Sequence, residues 1–405
     1  MTDETVQTTV AAASPQASSS LVRIAVLAAM AATGTLATNI LLPSLPTMAA
    51  SLNASSAAIT SAITVYLAAF ALGQLAAGPI SDRYGRRWPV LAGFAVFLAG
   101  SIWCGLATDL PGLLIGRVIQ AAGACFTSVL SRAIARDLFS GPALARAMAL
   151  IMIAMAAAPG FSPLLGGGLD YYFGWRAEFA FVAAFAAVGA VCYGALLGET
   201  HHATRIALDP LAVALNYFSL IRDRRFLVPA ATVSLIMGGL FAIFAATPRI
   251  LIEGLHFTPI ELGLFFAGTV MIVFAAGILA TRLAPRFGLD RSIRGGLLVA
   301  AIGSVAMLLV SAYIPTFFPF LAAMCVFLLG MGIVNPLGIA QALSPFGEKA
   351  GAASALIGFW QMMAAAITVW LAAAISHDAM FALGIVLTAA SLAAVALYAV
   401  RAKVA

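Results

Sequence analysis

The sequence predicts an all-α membrane protein whose twelve transmembrane helices form two six-helix bundles. Hydrophobic residues make up 63% of its 405 residues and charged residues only 9%, and the mean hydropathy is +1.06. A soluble domain carries about 25% charged residues, so lipid must be the solvent for most of this surface. Twelve apolar runs are each long enough, at about 20 residues, to cross a bilayer as a helix. The basic residues alternate in density from one connection to the next, which supports the same number of spans.

The twelve predicted spans are bounded by proline, glycine and charged residues. The apolar run after Arg23 is too long for a signal peptide, so residues 1–20 are expected to form a disordered cytoplasmic tail. The charged stretch 198–225 is expected to be a solvated cytoplasmic linker between an N-terminal bundle, residues 21–197, and a C-terminal bundle, residues 226–405. In chain order, spans 1 to 12 cover residues 23–42, 57–79, 88–107, 111–136, 143–168, 175–197, 226–247, 258–283, 292–312, 315–339, 349–376 and 379–400.

The distribution of basic residues predicts which way the spans run. Eighteen of the 21 lysines and arginines fall on the side of the two termini, two fall on the other side, and Arg117 lies within a span. The positive-inside rule therefore predicts that both termini are cytoplasmic. Because the bases are scattered singly, no basic face for nucleic acid is expected. The four cysteines lie in separate apolar runs and the sequence contains no Gly-x-x-x-x-Gly-Lys phosphate loop, so we expect no metal, no cofactor and no ATP coupling.

The connection between spans 2 and 3 carries the most specific local pattern. Its two glycines predict a tight turn between helices, and Asp82, which lies among three arginines, is expected to be hydrogen-bonded. A positively charged loop with a turn glycine is the simpler interpretation. The arrangement also resembles the G-x-L-x-D-R-x-G-R-R signature of the major facilitator superfamily, with Ile80 in place of the usual leucine. The resemblance implies a cytoplasmic gate in which Asp82 meets the start of span 11 when the cavity faces outward. Its residues are Gly78, Asp82, Arg83, Gly85 and Arg86.

A short sequence similar to this connection occurs after span 8. Gly78-x-Ile80-x-Asp82-Arg83 recurs 199 residues later as Gly277-x-Leu279-x-Thr281-Arg282. The echo falls at the equivalent connection of the second half. The two bundles are therefore expected to be parallel six-span repeats, an architecture known among transporters.

Span 4 carries polar residues on one face. Arg117, Gln120, Ala124, Ser128 and Ser131 follow the 3.6-residue period of a helix, so this stripe must face protein or water rather than lipid. An arginine at the centre of a transmembrane helix costs about 2.5–3.5 kcal/mol on insertion scales. Either its side chain reaches the headgroups at the membrane surface, or it lies in a central cavity. Arg117-x-x-Gln120 resembles the superfamily's motif in span 4, which favours the cavity.

Span 5 contains a proline and a glycine pair in mid-membrane. A proline there frees a main-chain carbonyl and kinks the helix, and the following glycines allow close packing. The segment with Pro163, Gly166 and Gly167 resembles the antiporter motif G-x-x-x-G-P-x-x-G-G, with Ala158 and Ser162 in place of two glycines. The resemblance implies a kink with a mechanistic role, and a kink that serves only packing is the alternative.

Uncharged polar residues in other spans are candidates to line a cavity. Glu178, in the first turn of span 6, is either a proton carrier or an anion stabilised by the helix N-terminus. Asp170 is expected to lie in an outer loop. The cavity candidates besides Arg117 and Gln120, each of which has helix packing as its alternative role, are Thr35, Asn39, Tyr66, Asn335 and Gln361.

Further segments resemble the Bcr/CflA branch of drug:proton antiporters within this superfamily. They cover residues 42–46, 132–137, 174–176, 199–200 and 351–358. The chain departs from that branch at Asn39, where an acid is common. An asparagine can form a hydrogen bond with a substrate, or with Arg117 at a similar depth, but it cannot carry a proton.

The resemblance implies a secondary transporter of the inner membrane that exports drugs, antibiotics or similar amphipathic small molecules. Export is expected to occur in exchange for protons, by alternating access between the two bundles. Such a protein is expected to be a monomer and not an enzyme. A specific metabolite exporter or uptake carrier of the same superfamily is the alternative function. A non-transporting membrane sensor or scaffold on the same fold is a further alternative, of a different class.

Overall fold

The structure, a computed structural model, describes residues 15–200, 210–376 and 378–401. Within these residues twelve helices are long and apolar enough to cross a membrane, which confirms the predicted number of spans. The twelve long helices, numbered in chain order, are α1 (Pro15–Asn39), α2 (Ser61–Tyr84), α3 (Arg87–Leu106), α4 (Leu110–Leu138), α5 (Gly141–Phe173), α6 (Arg176–Leu196), α7 (Arg224–Pro248), α8 (Pro259–Phe287), α9 (Leu289–Tyr313), α10 (Phe317–Leu343), α11 (Ala350–Ala374) and α12 (Ala379–Arg401).

The helices run alternately in opposite directions, so α1 begins and α12 ends at the same face of the molecule. We call this the terminal face and the opposite one the distal face. α1 already begins at Pro15, inside the stretch 1–20 that was expected to be a disordered tail, and residues 1–14 lie outside the described part. At its distal end α1 gives way to a short turn, Leu42–Ser44, because Pro43 and Pro46 lack the N–H groups that would continue the helix.

The connection between α2 and α3 is shorter than the sequence predicted. α2 continues through Gly78 and Pro79 to Tyr84, so the expectation that Gly78 forms part of the turn is wrong. A proline within a helix removes one hydrogen bond but need not end the helix when its neighbours can supply the missing partner. The reversal is made at Gly85 alone, whose φ is 86°.

The packing of the helices repeats after every six. In the first half α3 packs on α4 and α6, α2 packs on α4, and α1 packs on α4, α5 and α6. In the second half α9 packs on α10 and α12, α8 on α10, and α7 on α10, α11 and α12. The principal contacts between the halves are α5 with α8 and α2 with α11. The repeat also relates these two contacts to each other, because α5 corresponds to α11 and α2 corresponds to α8. The parallel repeat expected from the short sequence echo is therefore present in the helix packing.

The linker between the halves is more ordered than a solvated connection. Residues 201–209 lie outside the described part, but Pro210–Arg222 forms a helix, here called the linker helix. Its Leu220 is buried with Phe226 and Leu356 of the second half. The hydroxyl of Tyr217 donates a hydrogen bond to the carbonyl oxygen of Leu75 in α2 at 3.0 Å. The linker helix thus contacts both halves.

Candidate functional site

The two halves meet at the distal face through backbone contacts between α5 and α8. A Cβ atom added to Gly167 of α5 would lie 2.6 Å from the carbonyl oxygen of Pro259. One added to Gly263 of α8 would lie 2.5 Å from the Cα atom of Leu164. Glycine is needed at both positions because the main chains approach too closely for any side chain. We call this contact the α5–α8 seam.

A second contact closes the distal face between α2, α7 and α11. The residues Thr60, Ala246, Arg249, Val369 and Ala372 surround a cavity of about 10 Å³, which is about the space that one water molecule needs. The turn Leu42–Ser44 also contacts α7 and α8. In this conformation the distal face is therefore closed to solutes.

In the predicted gate at the terminal face, Asp82 bonds Arg86, and among the described residues no hydrogen bond joins Asp82 to α11. The guanidinium of Arg86 donates to Asp82 at 2.7 Å and to Asp137 at 3.0 Å. Burial lowers the pKa of Arg86, but the hydrogen bonds to Asp137 and Asp82 outweigh this effect and raise that pKa above its ordinary value. A Cβ added at Gly78 or at Gly351 of α11 would meet no described atom within 4 Å. These two glycines thus have space beside them, whereas Gly358 of α11 approaches the side chain of Gln74 in α2 closely.

Two acids of the gate were not assigned to it from the sequence. Asp137 ends α4, and Glu199 follows α6, so they come from connections distant in the chain. The side chain of Glu199 accepts hydrogen bonds from the main-chain N–H groups of Arg86 and Arg87. Arg83 points elsewhere, and its guanidinium lies 5.3 Å from the centroid of the Tyr84 ring. The available signal was that both acids belong to the same predicted face as the gate arginines.

Arg117 is enclosed within the first half. Its side chain is completely buried and donates to the carbonyl oxygens of Ala62 in α2 at 3.3 Å and Ala37 in α1 at 3.1 Å. It also bonds Gln120, and its Cζ atom lies 4.0 Å from the centroid of the Tyr66 ring. The alternative that Arg117 reaches the headgroups is therefore wrong. In this conformation its charge joins α1, α2 and α4 and is not presented to a cavity.

The rest of the polar stripe on α4 also faces protein. Gln120 extends the cluster to α3 by donating to the hydroxyl of Ser101 at 2.8 Å. Ser128 donates to the carbonyl oxygen of Ala31 in α1 at 3.1 Å. Ala124 and Ser131 are buried as well. The helical period thus predicted the buried face of α4, although it did not predict the partners.

Asn39 does not form a hydrogen bond with Arg117, one of the two partners considered for it above. Its side-chain amide donates to the carbonyl oxygen of Thr35, one helical turn earlier, at 2.7 Å. Its Oδ1 atom is buried, and no described group forms a hydrogen bond with it. Thr35 is half-buried, and its hydroxyl donates a hydrogen bond to the carbonyl oxygen of Ala32 at 3.0 Å. Both side chains are thus engaged mainly by their own helix.

Two carboxyl groups lie at the distal end of the first half. Glu178 is completely buried, and its Oε1 atom accepts a hydrogen bond from the hydroxyl of Ser44. Asp170 lies within α5, is 9% exposed and accepts from the hydroxyl of Thr47 at 2.9 Å. The expectation that Asp170 belongs to an outer loop is wrong because α5 extends to Phe173, beyond the predicted end of span 5 at residue 168.

The remaining cavity candidates form a separate pair in the second half. The side-chain amide of Gln361 in α11 donates to the Oδ1 atom of Asn335 in α10 at 3.0 Å. The predicted cavity residues thus fall into two groups, one in each half. Within the described part of the chain, no group of three or more His, Cys, Asp or Glu side chains is placed to hold a metal ion.

The kinked segment of α5 packs against both halves. Pro163 lies inside the helix and has no N–H group to offer the carbonyl oxygen of Pro159. A Cβ added to Gly166 would lie 1.8 Å from the carbonyl oxygen of Ile40, which directly follows α1, whereas Gly167 faces α8. The two glycines therefore hold α5 against the end of α1 and against the α5–α8 seam.

Comparison with known proteins supplies the family context of this geometry. The sequence profile described as Major Facilitator Superfamily matches residues 27–369. The multidrug resistance protein MdtL of Citrobacter koseri is 31% identical over 83% of this chain and 84% of its own length. A bicyclomycin resistance protein homolog of Haemophilus influenzae is 26% identical over 83% and 85%. The crystal structure of a POT family transporter in complex with a thioalcohol conjugated peptide has a similar fold, with a TM-score of 0.73 at 16% identity over 92% of this chain and 94% of that one.

Proposed function

Because this chain belongs to the Major Facilitator Superfamily, we propose that it is an inner-membrane transporter that exports drugs or similar amphipathic small molecules in exchange for protons. The relatives named for multidrug and bicyclomycin resistance each align with over four-fifths of the chain, which supports drugs as the substrate class. The bicyclomycin relative also supports the resemblance to the Bcr/CflA branch. The substrate crosses the membrane without chemical change.

The observation that carries the proposal is the repeat in the contacts between the halves. The six-helix repeat relates the α5–α8 seam to the contact between α2 and α11, so the two contacts are equivalent. Two similar bundles that touch along such related seams can rock, so that one face closes as the other opens. The distal face is closed here, and among the described residues no hydrogen bond joins Asp82 of the gate to α11. The geometry supports alternating access, with this conformation closed at the distal face.

The terminal face is cytoplasmic in this proposal, since most of the lysines and arginines belong to it. When the distal face opens, Asp82 would approach the start of α11. The first N–H groups of a helix are unpaired and carry a partial positive charge, so a carboxylate there stabilises by about 0.3–1 kcal/mol when exposed and up to about 2 kcal/mol when partly buried. One chain supplies both bundles and both seams, so we propose the monomer as the transporting unit.

The polar groups in reach of a substrate favour uncharged amphipathic compounds. The pair formed by Asn335 and Gln361 offers amide groups without net charge, and Arg117 is enclosed. An apolar passage with a few polar groups is typical of sites that bind drug-sized molecules. We therefore propose that the pair lies beside the substrate path.

A drug-susceptibility panel tests this proposal. An efflux-deficient host is compared with and without expression of the protein, against uncharged and charged amphipathic antibiotics. Expression is expected to raise the inhibitory concentration of several uncharged compounds. The matched control is Gly167→Leu, which obstructs the α5–α8 seam and should lose this resistance at equal membrane levels. No resistance to any compound, together with uptake of one metabolite, would overturn drug export and favour a specific carrier.

A further inference from the structure

Three buried polar atoms of the first half have no described hydrogen-bond partner. They are Oδ1 of Asn39, Nη2 of Arg117 and Oε2 of Glu178. A buried donor or acceptor that is left unpaired destabilises the protein, and a charged group does so more strongly. Two of these atoms are acceptors and one is a donor. The cluster therefore has hydrogen-bonding capacity in reserve, which a proton or a change of conformation can use.

Glu178 is the member of this cluster that can bind and release a proton. Its Oε1 atom is already engaged by the hydroxyl of Ser44, so a proton would reside on Oε2. The charged groups that act on it are Asp170 from α5 and Arg117 from α4. On its own helix, Arg176 donates to the carbonyl oxygen of Ala107 at 3.0 Å, and the segment after α1 contributes the hydroxyl group of Ser44. A carboxyl between another acid and an arginine gains or loses a proton according to which neighbour dominates.

A hydroxyl group lies between Glu178 and a second carboxyl group near the distal face. The hydroxyl of Ser44 donates to Glu178 and is also within hydrogen-bonding reach of Asp170. The hydroxyl of Thr47 lies 2.9 Å from Asp170 and 2.8 Å from the main-chain carbonyl oxygen of Ser44. Asp170 is 9% exposed, whereas Glu178 is not exposed at all. A hydroxyl group can both donate and accept, so Ser44 can relay a proton between the two carboxyl groups.

The same serine lies at the contact between the halves. Ser44 ends the turn Leu42–Ser44, and this turn contacts α7 and α8 of the second half. A change in the charge of Glu178 therefore acts on the turn that helps to close the distal face. This placement would couple a proton to the conformational change, a role that Asn39 cannot perform.

We propose that Glu178 carries the exchanged proton and that Asp170 and Ser44 form its path from the distal face. One proton binds Oε2 from the distal side, one substrate molecule moves outward, and the same proton is released at the terminal side. No other bond is formed or broken. Arg117 acts as a positioning residue that stabilises the ionised carboxylate. The inference rests on the proposed proton antiport and names its site.

The test measures proton movement that depends on drug in proteoliposomes with an internal pH dye, using the compound with the largest resistance in the panel above. Glu178→Gln keeps the side-chain size and an acceptor for Ser44, and it should lose this proton movement while still binding the compound. Asp170→Asn should keep coupling but shift its pH dependence. The matched control is Glu261→Gln on the distal side, because glutamine also serves at that position of a capping box. It should behave as the wild type.

The outcomes separate this inference from the proposed function. A wild-type protein that moves drug without protons would overturn the antiport itself. A wild type that couples, with a Glu178→Gln variant that couples equally, would overturn the assignment to Glu178 and leave antiport standing. If Glu178→Gln does not fold, carbodiimide labelling of the wild type decides, since this reagent modifies protonated carboxyl groups. Labelling of Glu178 that increases at acidic pH and falls when the drug is present is expected, and its absence would overturn the assignment.

Discussion

At the scale of single residues, the turn between α2 and α3 depends on Gly85. Its φ of 86° and ψ of 178° fall in a region of backbone space that is open essentially only to glycine. A Cβ added there would also lie 2.3 Å from the Oε2 atom of Glu199. Glu199 pairs with the first N–H groups of α3, so a side chain at Gly85 would displace the acid that holds the gate loop.

Gly85→Ala should destabilise the protein, whereas Gly78→Ala should not. The strained backbone alone costs about 1–3 kcal/mol, and the loss of the contacts to Glu199 adds to it. Gly78 lies in a helix with space for a Cβ, where alanine is favoured by about 0.5–1 kcal/mol. Melting temperatures of the two purified variants in detergent measure the difference. Equal melting temperatures would show that the geometry at Gly85 does not hold the gate loop.

Arg117 is the residue whose role the structure changes most. Its guanidinium donates hydrogen bonds to main-chain carbonyl oxygens of α1 and α2 and lies over the Tyr66 ring. A cation–π contact of this kind contributes about 2 kcal/mol when it is desolvated. Arg117→Lys should lower the melting temperature and slow transport, because an ammonium group cannot reproduce the planar fork of donors. Arg291→Lys, at an exposed arginine of the terminal face, is the control and should change little. An Arg117→Lys variant as stable as the wild type would contradict this account of the cluster.

At the scale of elements, three consecutive glycines in α5 have different surroundings. Gly166 faces Ile40 of the same half, Gly167 faces Pro259 across the α5–α8 seam, and Gly168 has no described atom within 4 Å of an added Cβ. Gly168 can therefore serve as the control when the contacts of Gly166 and Gly167 are tested by substitution.

Alanine at each of these glycines should give three distinct results. Gly166→Ala should lower stability, since it forces α1 and α5 apart. Gly167→Ala should shift the protein toward the conformation with an open distal face, because it weakens only the contact between the halves. Gly168→Ala should be neutral. The accessibility of a single cysteine placed at Thr60, in a background without the native cysteines, reports the opening. Equal accessibility in the Gly167→Ala and Gly168→Ala variants would argue against the seam.

A hydrogen bond joins the linker helix to the carbonyl oxygen of Leu75 in α2, which has no main-chain donor because Pro79 lacks an N–H group. Pro79 cannot donate to the carbonyl oxygen of Leu75, and Tyr217 supplies the missing hydrogen bond. Tyr217→Phe should therefore destabilise the protein by about 1–3 kcal/mol. In a Pro79→Ala background the helix supplies its own donor, so the same substitution should cost less. Thermal unfolding of the four proteins measures this coupling, and an identical loss in both backgrounds would contradict it.

Hydropathy predicted the helices well but not the groups that lie at their ends. It detects the part of a helix that crosses hydrocarbon, about 20 residues, whereas α5 has 33 residues. Asp170 was therefore misplaced in a loop. For Arg117, the period of α4 predicted the buried face, but the partners in α1 and α2 depend on packing between helices. That packing has no signal in the spacing of a single span.

At the scale of the whole molecule, the two halves form one repeated arrangement. The sequence retained only the echo at Gly78 and Gly277, because packing in lipid constrains the size of side chains more than their identity. The packing itself retained the full repeat. The distal face is held together by main-chain contacts between α5 and α8, whereas within the described residues Asp82 at the other face bonds Arg86 and not α11.

The central claim, export of a drug driven by protons, is tested most directly by removing the proton gradient during export. Efflux-deficient cells that express the protein are loaded with the compound of greatest resistance, energised, and then treated with a protonophore. Exchange of one proton for an uncharged drug moves one charge per cycle, worth about 2.3 kcal/mol per 100 mV. Export should therefore stop when the protonophore is added, at unchanged ATP levels. Export that continues at the same rate would contradict proton antiport by this protein.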